Sequence, residues 1–169
     1  MKPMLVTTLA VLATAVAGGA FAQGANYLAR YDGGWSGGGS VKVEQLPTAT
    51  NVNCDVQGTR SGETAFALQG TCRSMLIMSR EIGAQLKIDP SSGNYSGTYT
   101  GSASGPARLL GSRQGDTLDL QVTWGRVIYD DNKARMLIRN TGNDTFRMQV
   151  IEKIEGADVT VSDLSFQRG

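Results

Sequence analysis

The chain has 169 residues, with 16 Lys+Arg against 15 Asp+Glu, 22 glycines, two cysteines and no histidine. Without histidine there is no Ser-His-Asp or Cys-His nucleophile, no histidine general base and no His-ligated zinc or haem. Two cysteines are too few for a thiolate zinc site, and a nearly neutral chain lacks the basic field that nucleic acid selects.

The N-terminus reads as a targeting signal. Lys2 precedes an apolar run from Met4 to Ala17, and Ala20-Phe21-Ala22 fits a small-residue cleavage site. The run is too short, and too rich in Thr, Ala and Gly, to span a bilayer. The expected organisation is a signal peptide over 1–22, a flexible lead-in over 23–31 and a single domain over 32–169. Losing Lys2 leaves acidic and basic residues in balance. No cysteine follows the cleavage site to carry a lipid anchor. The expectation is a periplasmic or secreted protein with no transmembrane segment in the mature chain.

From Trp35 onward the apolar period is two, the period of strands. Trp35, Val41 and Val43 share a phase, with Gly37 and Gly39 between them. Val52 to Gly58 and Thr64 to Cys72 form a hairpin about Arg60-Ser61-Gly62-Glu63. Next come Ile82 to Ile88, a turn at Asp89-Pro90-Ser91-Ser92-Gly93, then Asn94 to Gly101 with Tyr95 and Tyr99 in phase. Ala107 to Ser112 leads through Gln114-Gly115-Asp116 into Leu118, Leu120, Val122 and Trp124. After Asp130-Asp131-Asn132-Lys133 come Met136 and Ile138, a turn at 140–144, then Phe146, Met148 and Val150. The last strand, Val159 to Arg168, changes phase between Val161 and Leu164, as a bulge near Asp163 would make it do. Ser74 to Arg80 carries the continuous apolar run Met75-Leu76-Ile77-Met78 and reads as a short irregular or helical segment.

Cys54 and Cys72 fall on the apolar phase of the two hairpin strands, so folding about the turn brings them together facing the core. In an oxidising compartment that pairing is a disulfide. No CxxC spacing and no clustered Lys favours a reactive thiol.

About ten short strands at regular turn spacing make an antiparallel meander. An open meander leaves two edge strands as aggregation sites, and closure removes them. The fold class is therefore all-β: an up-and-down barrel of about eight to ten strands with one disulfide. Frequent strand glycines suit a strongly curved sheet. In a closed sheet the first and last strands are neighbours, which would set Arg168 against Trp35.

Gly33-Gly34-Trp35 at the first strand, with Arg168 at the last, resembles the calycin superfamily of lipocalins, fatty-acid-binding proteins, avidins and nitrobindin-like barrels. The resemblance implies a barrel that binds a small apolar molecule or lipid. Gly34-Trp35-Ser36-Gly37-Gly38-Gly39 is most similar to nitrobindin-like barrels, but without histidine the usual haem ligand is missing, so no cofactor is expected. Asn53-Cys54-Asp55-Val56 and Leu68-Gln69-Gly70-Thr71-Cys72 also resemble the disulfide hairpin of small exported inhibitors of bacterial metalloproteases. That likeness implies a protein partner, with the lead-in entering the protease cleft.

The inward stripes admit a filled core or a cavity for an apolar ligand. For the cavity, the candidate lining is Phe66, Leu86, Tyr95, Tyr99, Leu120, Trp124, Met136, Phe146 and Met148. Arg135, Arg139 and Arg147 fall on outward positions of adjacent strands. They read as a solvated face with cross-strand pairs to Asp119 or Glu152 rather than a surface for lipid phosphates. An enzyme of carboxylate type would need a buried Asp or Glu, and the inward stripes are read as holding none. The expectation is a non-enzymatic exported barrel, preferably a binder of a small apolar ligand or lipid in the cell envelope. The alternatives are a protease inhibitor and a structural or stress-related envelope protein with a filled core.

Overall fold

The computed structural model describes residues 26–74 and 78–169. Ten strands follow in chain order: β1 (Gly33–Val41), β2 (Thr50–Ser61), β3 (Ala65–Ser74), β4 (Met78–Ile88), β5 (Tyr95–Thr100), β6 (Ala107–Gln114), β7 (Thr117–Ile128), β8 (Asp131–Gly142), β9 (Thr145–Ile154) and β10 (Ala157–Arg168). Each pairs antiparallel with its chain neighbour, and β1 pairs with β10, so the sheet closes into an all-β barrel. The two-residue period drives this. In β2 every second residue from Thr50 to Gly58 is buried and those between are exposed, the signature of a sheet with one wet face.

The closing seam runs from Trp35 opposite Arg168 to Val41 opposite Ser162. A Cβ on Gly37 would lie 2.0 Å from the Ser165 carbonyl oxygen, so the seam closes only over glycine there. Cys54 and Cys72 sit opposite one another on β2 and β3 and are joined as a disulfide, both sulfurs in the core.

Three local expectations change. Within Ser74 to Arg80, both ends are strand: Ser74 closes β3, Met78 opens β4, and the two are paired. Residues 75–77 lie outside the described residues. The ladder thus takes in Met78, which period alone does not reveal for a short apolar run. The bulge in β10 exists, but its extra residue is Val161, between Thr160 and Ser162. Placing it there lets Val161 and Leu164 both face inward. The lead-in, in its described part, is a helical turn over residues 26–29 with Tyr27, Leu28 and Tyr31 buried. Aromatic and aliphatic side chains on one side of that turn have a hydrophobic end of the barrel to enter, and they plug it.

Several bonds hold the plug. The Tyr27 hydroxyl donates to the Ile138 carbonyl at 3.1 Å and shares a 2.6 Å hydrogen bond with the Tyr31 hydroxyl. Arg30 reaches Asp116 at 3.0 Å. A Cβ on Gly58 would lie 1.8 Å from the Tyr31 carbonyl oxygen, so glycine on β2 lets the plug seat. Burial raises both phenols, Tyr27 to about 12.

Candidate functional site

The barrel interior divides into two halves. Around the plug it is filled: Leu109, Leu118, Leu120, Met136, Phe146 and Phe166 are fully enclosed. Phe146 stacks on Phe166 with ring centroids 4.6 Å apart and meets Trp35 edge-on at 5.0 Å. A void of about 30 Å³ remains there, walled by Leu28, Tyr31 and Phe66 among others.

Toward the other end lies a cavity of about 230 Å³. Its apolar wall includes Val52, Ile82, Trp124, Met148, Val150 and Leu164. Its rim carries Lys42 and Glu44 after β1, Arg80 of β4, Gly101 to Ala103 after β5, and Arg126 and Tyr129 at the end of β7. The pairing of β7 with β8 is interrupted between Thr123 and Ile128. That irregularity keeps Trp124 inside while Arg126 reaches the rim, where it pairs with Glu44 at 3.2 Å.

Glu152 is the polar feature of this cavity. Its residue is only 3% exposed. On β9 it follows Phe146, Met148 and Val150 in the same inward phase, between Ala134 of β8 and Val159 of β10. The Trp124 indole N–H donates to Glu152 Oε1 at 2.8 Å. Its Oε2 is buried without a hydrogen-bond partner among the described residues. Burial pushes the carboxyl up to about 7; the Trp124 bond opposes the shift and the Asp131 carboxylate adds to it. Tyr99 meets Trp124 edge-on at 6.2 Å and completes that wall. Burial raises its phenol too, and Arg80 opposes the shift.

The structure sorts the predicted lining residues by height. Tyr99, Trp124 and Met148 border the large cavity. Phe66, Leu86 and Phe146 border only the small void in the filled half. Leu120, Met136 and Tyr95 border neither and belong to the packed core. Alternation tells which residues point inward, but it does not tell where along the axis the plug ends.

Two further readings are corrected or specified. Glu152 is not a surface partner of the arginines, and the expectation of no inward carboxylate fails at this residue. Arg135 instead pairs with Asp119, Nε to Oδ1 at 2.8 Å, and Arg147 with Asp163, Nε to Oδ1 at 2.6 Å. These pairs hold both carboxyls below the usual range. Arg139 lies directly opposite Arg147.

Trp35 and Arg168 lie at the plugged end, away from the cavity. The Arg168 guanidinium carbon stands 4.3 Å from the Trp35 ring centroid. Its nitrogens donate to the carbonyls of Asp32 at 2.6 Å and Arg30 at 2.9 Å and reach Asp144 at 3.2 Å. The Trp35 indole N–H donates to the Tyr31 carbonyl at 3.0 Å. The pair therefore ties the plug to the seam.

Sequence reasoning missed Glu152, the rim cations Lys42 and Arg80, and the plugging role of Tyr27 and Tyr31. For Glu152 the signal was present: it is the fourth member of the Phe146-Met148-Val150 alternation.

No protein-family model matches the chain, and no curated protein does. Among solved structures, Rv2717c from M. tuberculosis is similar with a TM-score of 0.63 and 14% identity, covering 86% of this chain and 97% of that one. The S-type phycobiliprotein lyase CPES from Guillardia theta is similar with a TM-score of 0.53 and 15% identity, covering 85% and 91%. At these identities the likeness is one of fold, the closed antiparallel barrel, and the calycin-like resemblance of the sequence is in keeping with it.

Proposed function

We propose that this chain is an exported binding barrel that holds a small apolar molecule or lipid in the cavity at its open end. The observation that carries the reading is the contrast between the two halves. One end is sealed by Tyr27, Leu28 and Tyr31, while the other keeps about 230 Å³ of mostly apolar space with one buried carboxyl in its wall. Concave, mostly apolar space with a few placed polar groups is what ligand sites share. The signal-like N-terminus and the Cys54–Cys72 disulfide support export to the periplasm or the medium.

The inhibitor reading loses support. Freeing the lead-in to enter a protease cleft breaks the burial of Tyr27 and Tyr31 and the Arg168 bonds. A catalytic reading gains one observation, the raised carboxyl of Glu152, and one similar barrel is a phycobiliprotein lyase. Glu152 has Trp124 as its hydrogen-bond partner, and acid–base catalysis at a single carboxyl needs a substrate to reveal itself.

The test uses Trp124 as reporter. An apolar fluorescent probe should quench Trp124 emission on binding, with Trp124→Phe as the control. Val150→Phe, which fills the cavity, should weaken probe binding about tenfold or more without unfolding the barrel. Mass spectrometry of organic extracts from gently purified protein should show a bound apolar molecule. A protein that carries nothing and binds no apolar probe discards the reading.

A further inference from the structure

The cavity has a chemical polarity beyond being apolar. Of the rim charges, Glu44 is answered by Arg126. Lys42 and Arg80 have no carboxylate partner among the described residues; Arg80 only donates to the Gly101 carbonyl at 3.4 Å. The rim therefore presents unneutralised positive charge, which attracts an anionic group and repels a cationic one.

Just below the rim stands Glu152. It lies two positions before the end of β9 at Ile154, and the deeper inward residues of that strand, Val150 and Met148, are apolar. Facing it are Trp124 and Tyr129 of the β7 side and Asp131 at the start of β8, with Lys42, Arg80, Arg126 and Glu44 around the rim above. Trp124 occupies one carboxyl oxygen; the other is buried and has no partner among the described residues. A buried polar atom without a partner is unfavourable, so a ligand that supplies one gains affinity. In apolar surroundings with an acidic neighbour the carboxyl favours its protonated form, which donates a hydrogen bond. Its natural counterpart is a neutral oxygen, a hydroxyl or carbonyl. A cavity of about 150 Å³ accepts benzene, so the 230 Å³ here accommodates the body of a medium-length chain.

Resting on the binding reading above, we propose that the site selects a medium-chain carboxylate bearing a hydroxyl or keto oxygen near its head. The carboxylate meets Lys42 and Arg80 at the rim, the neutral oxygen pairs with Glu152 Oε2, and the tail lies against Val150, Met148 and Leu164.

The experiment is calorimetric titration of the mature protein at a pH of about 6, below the Glu152 midpoint. The probes are decanoate, 3-hydroxydecanoate and 3-aminodecanoate. The hydroxy acid should bind about tenfold tighter than decanoate, and the amino acid weaker than both. Glu152→Leu should erase the hydroxyl preference while decanoate still binds; Glu152→Gln, which keeps a donor, should retain most of it. Lys42→Gln should weaken decanoate and 3-hydroxydecanoate alike and leave their ratio unchanged. Equal binding of decanoate and 3-hydroxydecanoate, or tightest binding of the amine, overturns the inference and leaves the apolar binding site standing. Binding of the apolar fluorescent probe without any of the three acids also overturns it. Absence of all binding, that probe included, defeats both.

Discussion

At the scale of single residues, Glu152 and Arg168 carry the strongest consequences. The folded protein holds the Glu152 carboxyl at about 7 against an ordinary 4.5, because burial disfavours the charged form. Below the unfolded value this group's contribution to stability is fully present. As pH rises from about 4.5 to about 7 the unfolded state ionises while the folded state keeps its proton, so the contribution is lost progressively and is gone above about 7, roughly 3 kcal/mol in all. Glu152→Gln keeps an oxygen for Trp124 and removes the titration. Denaturant unfolding at pH about 5 and about 8 should show the wild type losing roughly that much stability relative to the variant, whose remaining pH dependence comes from carboxylates such as Asp119 and Asp163 that titrate lower. Arg168 joins an aromatic ring, two carbonyls and a carboxylate. Arg168→Ala should cost about 2–3 kcal/mol, summing a cation–π contact with charge-assisted hydrogen bonds to two backbone carbonyls. A melt that does not move would mean the plug is held by apolar burial alone.

At the scale of elements, the β2–β3 hairpin was legible from residue types. Its alternation put Cys54 and Cys72 on one phase, and the turn at Gly62 set the register that pairs them. The bridge spans a sequence separation of 18, for which loop-closure entropy gives roughly 3 kcal/mol. The Cys54→Ala/Cys72→Ala pair should unfold earlier by about that amount while keeping its far-UV β signature. In β9 the alternation that turns Phe146, Met148 and Val150 inward runs on to Glu152, whose charge by itself suggests the outer face. A charged side chain is seldom buried, but position on a strand follows the pleat and not the chemistry of the side chain. The bulge at Val161 was visible as a phase change in β10; its position depended on which residues of β9 it faced.

At the scale of the whole molecule, the two ends of the barrel differ in kind. One is closed by a chain segment preceding the first strand and fixed through Arg168; the other is open above Trp124 and Glu152. Stability should follow that division, since buried apolar contacts set local opening energies. Hydrogen exchange should leave amides near Phe146, Leu118 and Phe166 protected longest, and those of Val43 to Gln45 and Ser102 to Ala103 exchanging first. Uniform protection at both ends would contradict it. The arginine-rich outer face is largely settled by pairs between neighbouring strands, Arg135 with Asp119 and Arg147 with Asp163, and surface pairs of this kind contribute about 0–1 kcal/mol each.

By itself the sequence determined the strand period, the closed antiparallel meander, the disulfide and the meeting of the first and last strands, because each follows from local alternation, turn residues and chain order. Tertiary structure alone decided which stretch of the inward face is filled and which is hollow. Periodicity measures direction, inward or outward, and carries no coordinate along the barrel axis. That coordinate comes from how far the Tyr27–Tyr31 plug reaches and from strands staggered around a closed sheet, and it is what turns Glu152 from one more charged residue into the polar wall of a cavity.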